Sequence, residues 1–244
     1  MKDTFKGEKA RLIAFFTSSA IILLVLSLFL SYYAAYGDVL FSILGNKNAK
    51  ERRYDELNLT AQKGQTVFFG DSLTEFYDTD TAFPSFPSYN RGISGDTTSG
   101  MLNRLDNNLL ALKPSRVIFL GGANDINRGV TPDEVIANIR EILTRIKTSA
   151  PDCEIYVESL YPVNPYTHPI YLNSVDNRKN EDILAINAAL EPLCAELGCT
   201  YINVHDKLTD EDGNLRADIT MDGLHVNEDG YAIVTAVLSE YLVK

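Results

Sequence analysis

Hydrophobic positions follow three regimes along the chain. From Leu12 to Gly37 no charged residue interrupts 26 positions, more than the roughly 20 apolar residues that span a hydrocarbon core and longer than a signal-peptide apolar centre. Lys2, Lys6, Lys9 and Arg11 precede the run. The pattern predicts a basic cytoplasmic tail over 1–11 and a single-pass transmembrane signal anchor over 12–37, with the remainder extracytoplasmic. The rival expectation is a signal peptide cleaved near Ala34-Ala35, which would release a secreted protein. Residues 38–60 carry Lys47, Lys50, Arg52 and Arg53 and are expected to form a juxtamembrane stalk.

From residue 61 on, short apolar runs alternate with segments of helical period, the pattern of an α/β domain with a doubly wound parallel sheet. Val67-Phe68-Phe69 ends abruptly at Gly70, as buried parallel strands do. Ser88 to Arg91, Arg116 to Leu120, Glu154 to Leu160 and Thr200 to Val204 supply further strands. A helix is expected to run to about Leu112. The next is marked by Thr131 as N-cap, Pro132 at the first position and Glu134 closing a capping box. Its apolar face is Val135, Ile139, Ile142, Leu143 and Ile146. A loop over 161–176 leads to a helix ending near Leu197, and the last helix is expected over Glu228 to Leu242 with Asn227 as its cap.

The strand ends hold the chemistry. Ligands of open α/β sheets gather at the carboxyl ends of the strands, and Ser72 follows the first strand directly. A serine hydroxyl is a poor nucleophile until a base takes its proton. The chain has three histidines, His168, His205 and His225. His225 follows an acid by three residues, in Asp222-Gly223-Leu224-His225, whereas His168 and His205 lack a comparable acid spacing and are expected to be non-catalytic. The expected roles are Ser72 as nucleophile, His225 as general base and acid, and Asp222 as the carboxylate that fixes the imidazole tautomer. The backbone N–H groups of Ser72 and Gly95 and the side-chain amide of Asn124 are the candidate oxyanion donors. Asp71 is expected to orient the nucleophile turn and Asp125 to be structural.

Composition narrows the partners. Residues 1–53 carry eight Lys/Arg against four Asp/Glu, which leaves 14 against 29 for the rest. A domain this acidic repels nucleic acid and anionic lipid surfaces. Cys153, Cys194 and Cys199 show no CxxC spacing and no nearby His, so no zinc site is expected; no cofactor is expected either. They suit buried positions, with one disulfide permitted outside the cytoplasm.

Gly70-Asp71-Ser72-Leu73, Asn90-Arg91-Gly92-Ile93-Ser94-Gly95, Gly122-Ala123-Asn124-Asp125 and Asp222-Gly223-Leu224-His225 resemble, in order, the four blocks of the SGNH, or GDSL-type, hydrolases. The resemblance spans about 65–243. It implies a three-layer flavodoxin-like fold and metal-free hydrolysis of esters or thioesters, with Ser72, Asp222 and His225 as triad and Ser72, Gly95 and Asn124 at the oxyanion hole. Val226 departs from the proline that many relatives place after the histidine.

Other chemistries fit poorly. Asp78-Thr79-Asp80-Thr81-Ala82 breaks the Asp-x-Asp-x-Thr phosphatase pattern at its last position. Thr74 stands where the Gly-x-Ser-x-Gly elbow needs its second glycine, and no Gly-x-x-x-x-Gly-Lys-Ser/Thr loop exists. The polar, aromatic character of 161–176 favours short O-acetyl esters on carbohydrate. A lysophospholipase or thioesterase, an envelope acyltransferase and a non-catalytic glycan-binding module are the alternatives.

Overall fold

In the computed structural model, the described residues are 47–167 and 174–243, together with Val25 and Ser27. Ala49–Lys244 form one compact unit. Among the described residues no helix is long and apolar enough to cross a membrane. The anchor expected over 12–37 lies outside the described residues apart from Val25 and Ser27, and so does His168.

The compact unit is built on five parallel strands: β1 (Thr66–Gly70), β2 (Ser88–Gly92), β3 (Arg116–Leu120), β4 (Glu154–Glu158) and β5 (Thr200–Ile202). Their order is β2-β1-β3-β4-β5, the doubly wound arrangement whose switch point lies between β1 and β3. Alternation of side chains along each strand feeds two separate cores. Val67, Phe69, Val117, Phe119, Ile155 and Val157 pack on one face with α4 (Thr98–Arg104), α6 (Pro132–Ser149) and α7 (Asn180–Leu197). Phe68, Ile118, Leu120, Tyr156 and Ile202 pack on the other with α8 (His205–Leu208) and α9 (Glu228–Leu242). The result is three layers, helices on both faces of an all-parallel sheet.

The expected caps are present. Thr131 and Glu134 close a capping box on α6, and the Asn227 side chain accepts the Gly230 N–H at the start of α9. Three short helices complete the order: α2 (Ser72–Glu75), α3 (Thr79–Ala82) and α5 (Ala123–Asn127). The Asp78 segment is the N-cap of α3.

Several expectations need correction. Where a stalk was expected over 38–60, residues 49–60 are helical (α1) and belong to the compact unit. Tyr54 Oη donates to the Gly92 carbonyl at 2.8 Å, and buried Asn58 accepts from Arg91 and donates to Asn107. The helix expected to reach Leu112 leaves α geometry after Arg104, passing through a π turn at Leu105–Leu109 and a 3-10 turn at Leu110–Leu112. Asn107 and Asn108 carbonyls in that turn face Asn58. β4 stops at Glu158, short of Leu160, because the Asn187 side chain takes over both backbone groups of Leu160. Beyond β5, Val204 N–H donates to Ser159 Oγ. Cys153, Cys194 and Cys199 are free thiols.

Candidate active site

β1 ends at Gly70, and the chain turns at once into α2. Asp71 caps that turn: its Oδ1 accepts the Leu73 N–H at 3.0 Å. Gly70 is the only residue that fits before it, because a Cβ there would stand 2.1 Å from Thr74 Oγ1 and 2.4 Å from the Leu120 carbonyl. Ser72 therefore opens the first turn of a helix directly beyond the strand. It is buried, at 8 % exposure.

Ser72 Oγ lies 2.9 Å from His225 Nε2, and His225 Nδ1 lies 2.7 Å from Asp222 Oδ2. The second carboxylate oxygen, Oδ1, accepts the Leu224 and His225 N–H groups at 3.0 and 2.8 Å. Burial alone would raise the Asp222 carboxyl. The hydrogen bonds from the His225 ring and from the His225 and Leu224 backbone, with the charge of His225, outweigh burial and hold it well below the usual range. The acid thus stays ionised beside the imidazole. The loop keeps its shape through Thr220, whose Oγ1 donates to the His225 carbonyl and accepts the Gly223 N–H. Phe76 packs beside the imidazole, ring centres 5.4 Å apart, with half of its surface exposed.

The oxyanion candidates converge from three strand ends. The first turn of a helix leaves its N–H groups without intrahelical partners, which makes the Ser72 N–H available. Gly95 follows β2 with φ +72 and nothing within 4 Å of where a Cβ would stand. Asn124 follows β3 and donates from Nδ2 to the Asp96 carbonyl at 2.9 Å, leaving one further N–H on the same nitrogen. Asp125 is occupied structurally, taking the Thr98 N–H and hydroxyl. Such a set can deprotonate a hydroxyl, hold a planar acyl group near it and receive negative charge on its carbonyl oxygen.

A model of the GDSL-like Lipase/Acylhydrolase family matches residues 68–233 of the chain. The chain belongs to this family. Among its curated relatives is platelet-activating factor acetylhydrolase IB subunit alpha1 of Bos taurus, 26% identical over 185 residues, covering 74% of this chain and 75% of the relative. A solved structure from Streptococcus pneumonia, named for platelet activating factor, is 30% identical with a TM-score of 0.79, covering 86% of this chain and 99% of that one. A GDSL-like lipase from Bacteroides thetaiotaomicron shares the fold at 22% identity and a TM-score of 0.68, over 78% and 95% of the two chains. The GDSL-like protein is a carboxylic ester hydrolase.

Around the site the structure shows contacts that the sequence reading did not foresee. Buried Arg104 donates from Nε to Asp96 Oδ2 at 2.7 Å, from Nη1 to the Arg91 carbonyl and from Nη2 to the Gly70 carbonyl. One guanidinium so ties the ends of β1 and β2 to the turn that carries Gly95. Its signal was an arginine on the apolar stripe of Met101 and Leu105. Glu75 accepts the Ser94 N–H at 2.6 Å and pairs with Lys50 of α1, while Asn90 donates to the Thr74 and Tyr77 carbonyls. Arg178 reaches the Asn124 amide from the segment just before α7, with no signal at all in its neighbours. His205 is buried, its Nδ1 near Asp206 and Thr209. Among the described residues no group of His, Cys, Asp and Glu could hold a metal ion.

Proposed function

We propose that the chain hydrolyses short-chain carboxylic esters, O-acetyl groups above all, through an acyl-enzyme on Ser72. The observation that carries this is the unbroken hydrogen-bonded series Ser72 Oγ, His225 and Asp222. His225 Nε2 takes the Ser72 proton as Oγ adds to the ester carbonyl. The negative charge that develops on the carbonyl oxygen meets the N–H groups of Ser72, Gly95 and Asn124. Collapse expels the alcohol, which leaves with the proton from His225. Water then adds by the same steps in reverse and releases the acid and free Ser72.

The acetyl preference draws support from the bovine relative, an acetylhydrolase by name. A carbohydrate alcohol suits the polar and aromatic residues entering the 161–176 loop, where Asn164 donates to the Leu215 carbonyl and Tyr166 is exposed. Exposed Phe76 and Met221 favour a second reading in which the alcohol is lipid-like. Rates for the full chain on p-nitrophenyl esters from acetate to palmitate, with Ser72→Ala in parallel, test the proposal. Turnover limited to acetate and butyrate and lost by several orders of magnitude in Ser72→Ala supports it. A long-chain optimum favours a lysophospholipase, and turnover that survives Ser72→Ala overturns the reading.

Residues 12–37 lead to a separate proposal, a single-pass anchor with the catalytic unit outside the cytoplasm, which the uncharged run and its basic flank support. Membrane fractions washed with carbonate should retain the protein at full length. Release at a size shortened near residue 35 would overturn the anchor in favour of cleavage.

A further inference from the structure

An amide side chain has one acceptor end and one donor end of nearly the same shape, so its orientation depends on its neighbours. Asn124 lies between two unlike groups. The Asp96 carbonyl, which can only accept, is 2.9 Å from Nδ2, and Arg178 Nη2, which can only donate, is 2.6 Å from Oδ1. The reversed amide would face carbonyl with carbonyl and guanidinium with N–H. Only the observed orientation satisfies both neighbours.

The guanidinium is itself held firmly. Its Nε donates to the Ala123 carbonyl at 3.0 Å, and Nη1 donates to the Ser174 and Val175 carbonyls at 3.1 and 3.2 Å. The Asp176 carboxylate stands 3.7 Å from Nη1. The side chain is 5 % exposed, so these bonds form largely out of water. Residues 174–178 also reach the triad, since the Ser174 N–H donates to the Asp222 carbonyl at 2.8 Å. A cation bonded to an amide oxygen draws electron density from the amide nitrogen and strengthens its N–H as a donor.

The geometry points to Arg178 as a positioning residue of the oxyanion hole: its guanidinium locks the Asn124 amide with N–H toward the reacting carbonyl and strengthens that donor. This inference rests on the ester-hydrolase reading of the site. Arg178 acts only through Asn124 and touches no substrate atom. Its contribution grows with the charge on the carbonyl oxygen, and so belongs to kcat and to tetrahedral adducts rather than to KM.

The test is a double-mutant cycle on the full chain with Arg178→Met, Asn124→Ala and the pair, read by p-nitrophenyl acetate kinetics and by the inhibition constant of phenylboronic acid, which adds to a serine Oγ as a tetrahedral mimic. Because one oxyanion donor is worth about 100- to 1000-fold in kcat, Arg178→Met is expected to lose about 10- to 100-fold in kcat, with KM within about threefold. Boronate affinity should fall in step. In the Asn124→Ala background the Arg178 substitution should cost almost nothing more. Additive losses, a change confined to KM, or parental kcat in Arg178→Met would overturn the inference. If the methionine variant does not fold, Arg178→Lys takes its place in the cycle. Lysine has three donors on one nitrogen and lacks the rigid planar fork by which the guanidinium holds Asn124 and the Ala123 carbonyl in fixed geometry, and its loss must likewise vanish without Asn124. Turnover that persists in Ser72→Ala would overturn the hydrolase reading, whereas Ser72-dependent turnover with additive Arg178 losses overturns this inference alone.

Discussion

The Tyr231 hydroxyl donates to the Leu73 carbonyl at 2.8 Å, so the last helix grips the turn that carries Ser72. His225 lies just before that helix. The Tyr231 side chain also stacks its ring on Tyr77 at 5.0 Å, so one residue of the last helix holds that turn through two contacts. Tyr231→Phe keeps the stack and deletes the bond. Denaturant unfolding should report a loss of about 1 kcal/mol, and kcat on acetate esters should fall while KM holds.

Asp222→Asn should leave the loop intact, since an amide oxygen can still accept the Leu224 and His225 N–H groups that Oδ1 now takes. The amide N–H₂ would then face His225 Nδ1 and force the proton onto Nε2, the nitrogen that must receive it from Ser72. If Asp222 sets the tautomer, a kcat loss of about 10⁴-fold is expected, with a modest fall in melting temperature as the favourable contact of the carboxylate with His225 is lost. A loss of less than tenfold would mean that the carboxylate does not set the tautomer.

The glycines beside the site divide by cause. A Cβ at Gly92 would stand 2.2 Å from the Glu75 nitrogen, backbone against backbone, so Gly92→Ala must displace α2 and with it Ser72. Gly95 has open space but φ +72, where an L side chain costs about 1 kcal/mol. Thermal melts should show Gly92→Ala destabilised by more than about 2 kcal/mol and Gly95→Ala by less. Equal losses would contradict the steric argument.

A buried acid lies deeper in the same layer. Burial pushes Glu158 up to about 7, against a lowering by the Tyr161 hydroxyl that donates to it at 2.6 Å, and Asp71 nearby raises it further. Burial likewise lifts Asp71 to about 6. The folded chain therefore keeps a proton on Glu158 between 4.5, its ordinary value, and about 7, a window in which the unfolded chain has lost it. Stability falls as pH rises through that window, by up to roughly 3 kcal/mol. Glu158→Gln is neutral at every pH and should melt higher than the parent at pH 8 but not at pH 4.5. A constant offset across pH would refute the assignment.

Strands and caps were legible because their signals are local. Arg116 to Leu120 needs both faces apolar, and Thr131 with Glu134 needs only four residues. The contact between Asp222 and His225 was legible for a related reason, a spacing of three, and Ser72 is placed by the end of a strand. α1 was not, because its charges read as a solvated stalk while Tyr54 and Asn58 find their partners on distant turns. Arg104 and Arg178 escaped for the same physical reason. Most of their partners are backbone carbonyls, which every residue type supplies, so no pairing is written in the side chains.

Ser72 and His225 stand 153 positions apart in the chain, with β2 to β5 formed by the residues between them. Each parallel pair needs its own crossover connection of about a dozen residues or more, these connections add up along the chain, and contacts of long range form slowly. Helical hydrogen bonds are local and can form before that distance closes. During refolding, circular dichroism should regain its native amplitude ahead of esterase activity, and the nucleophile stays inert until the whole sheet has been threaded.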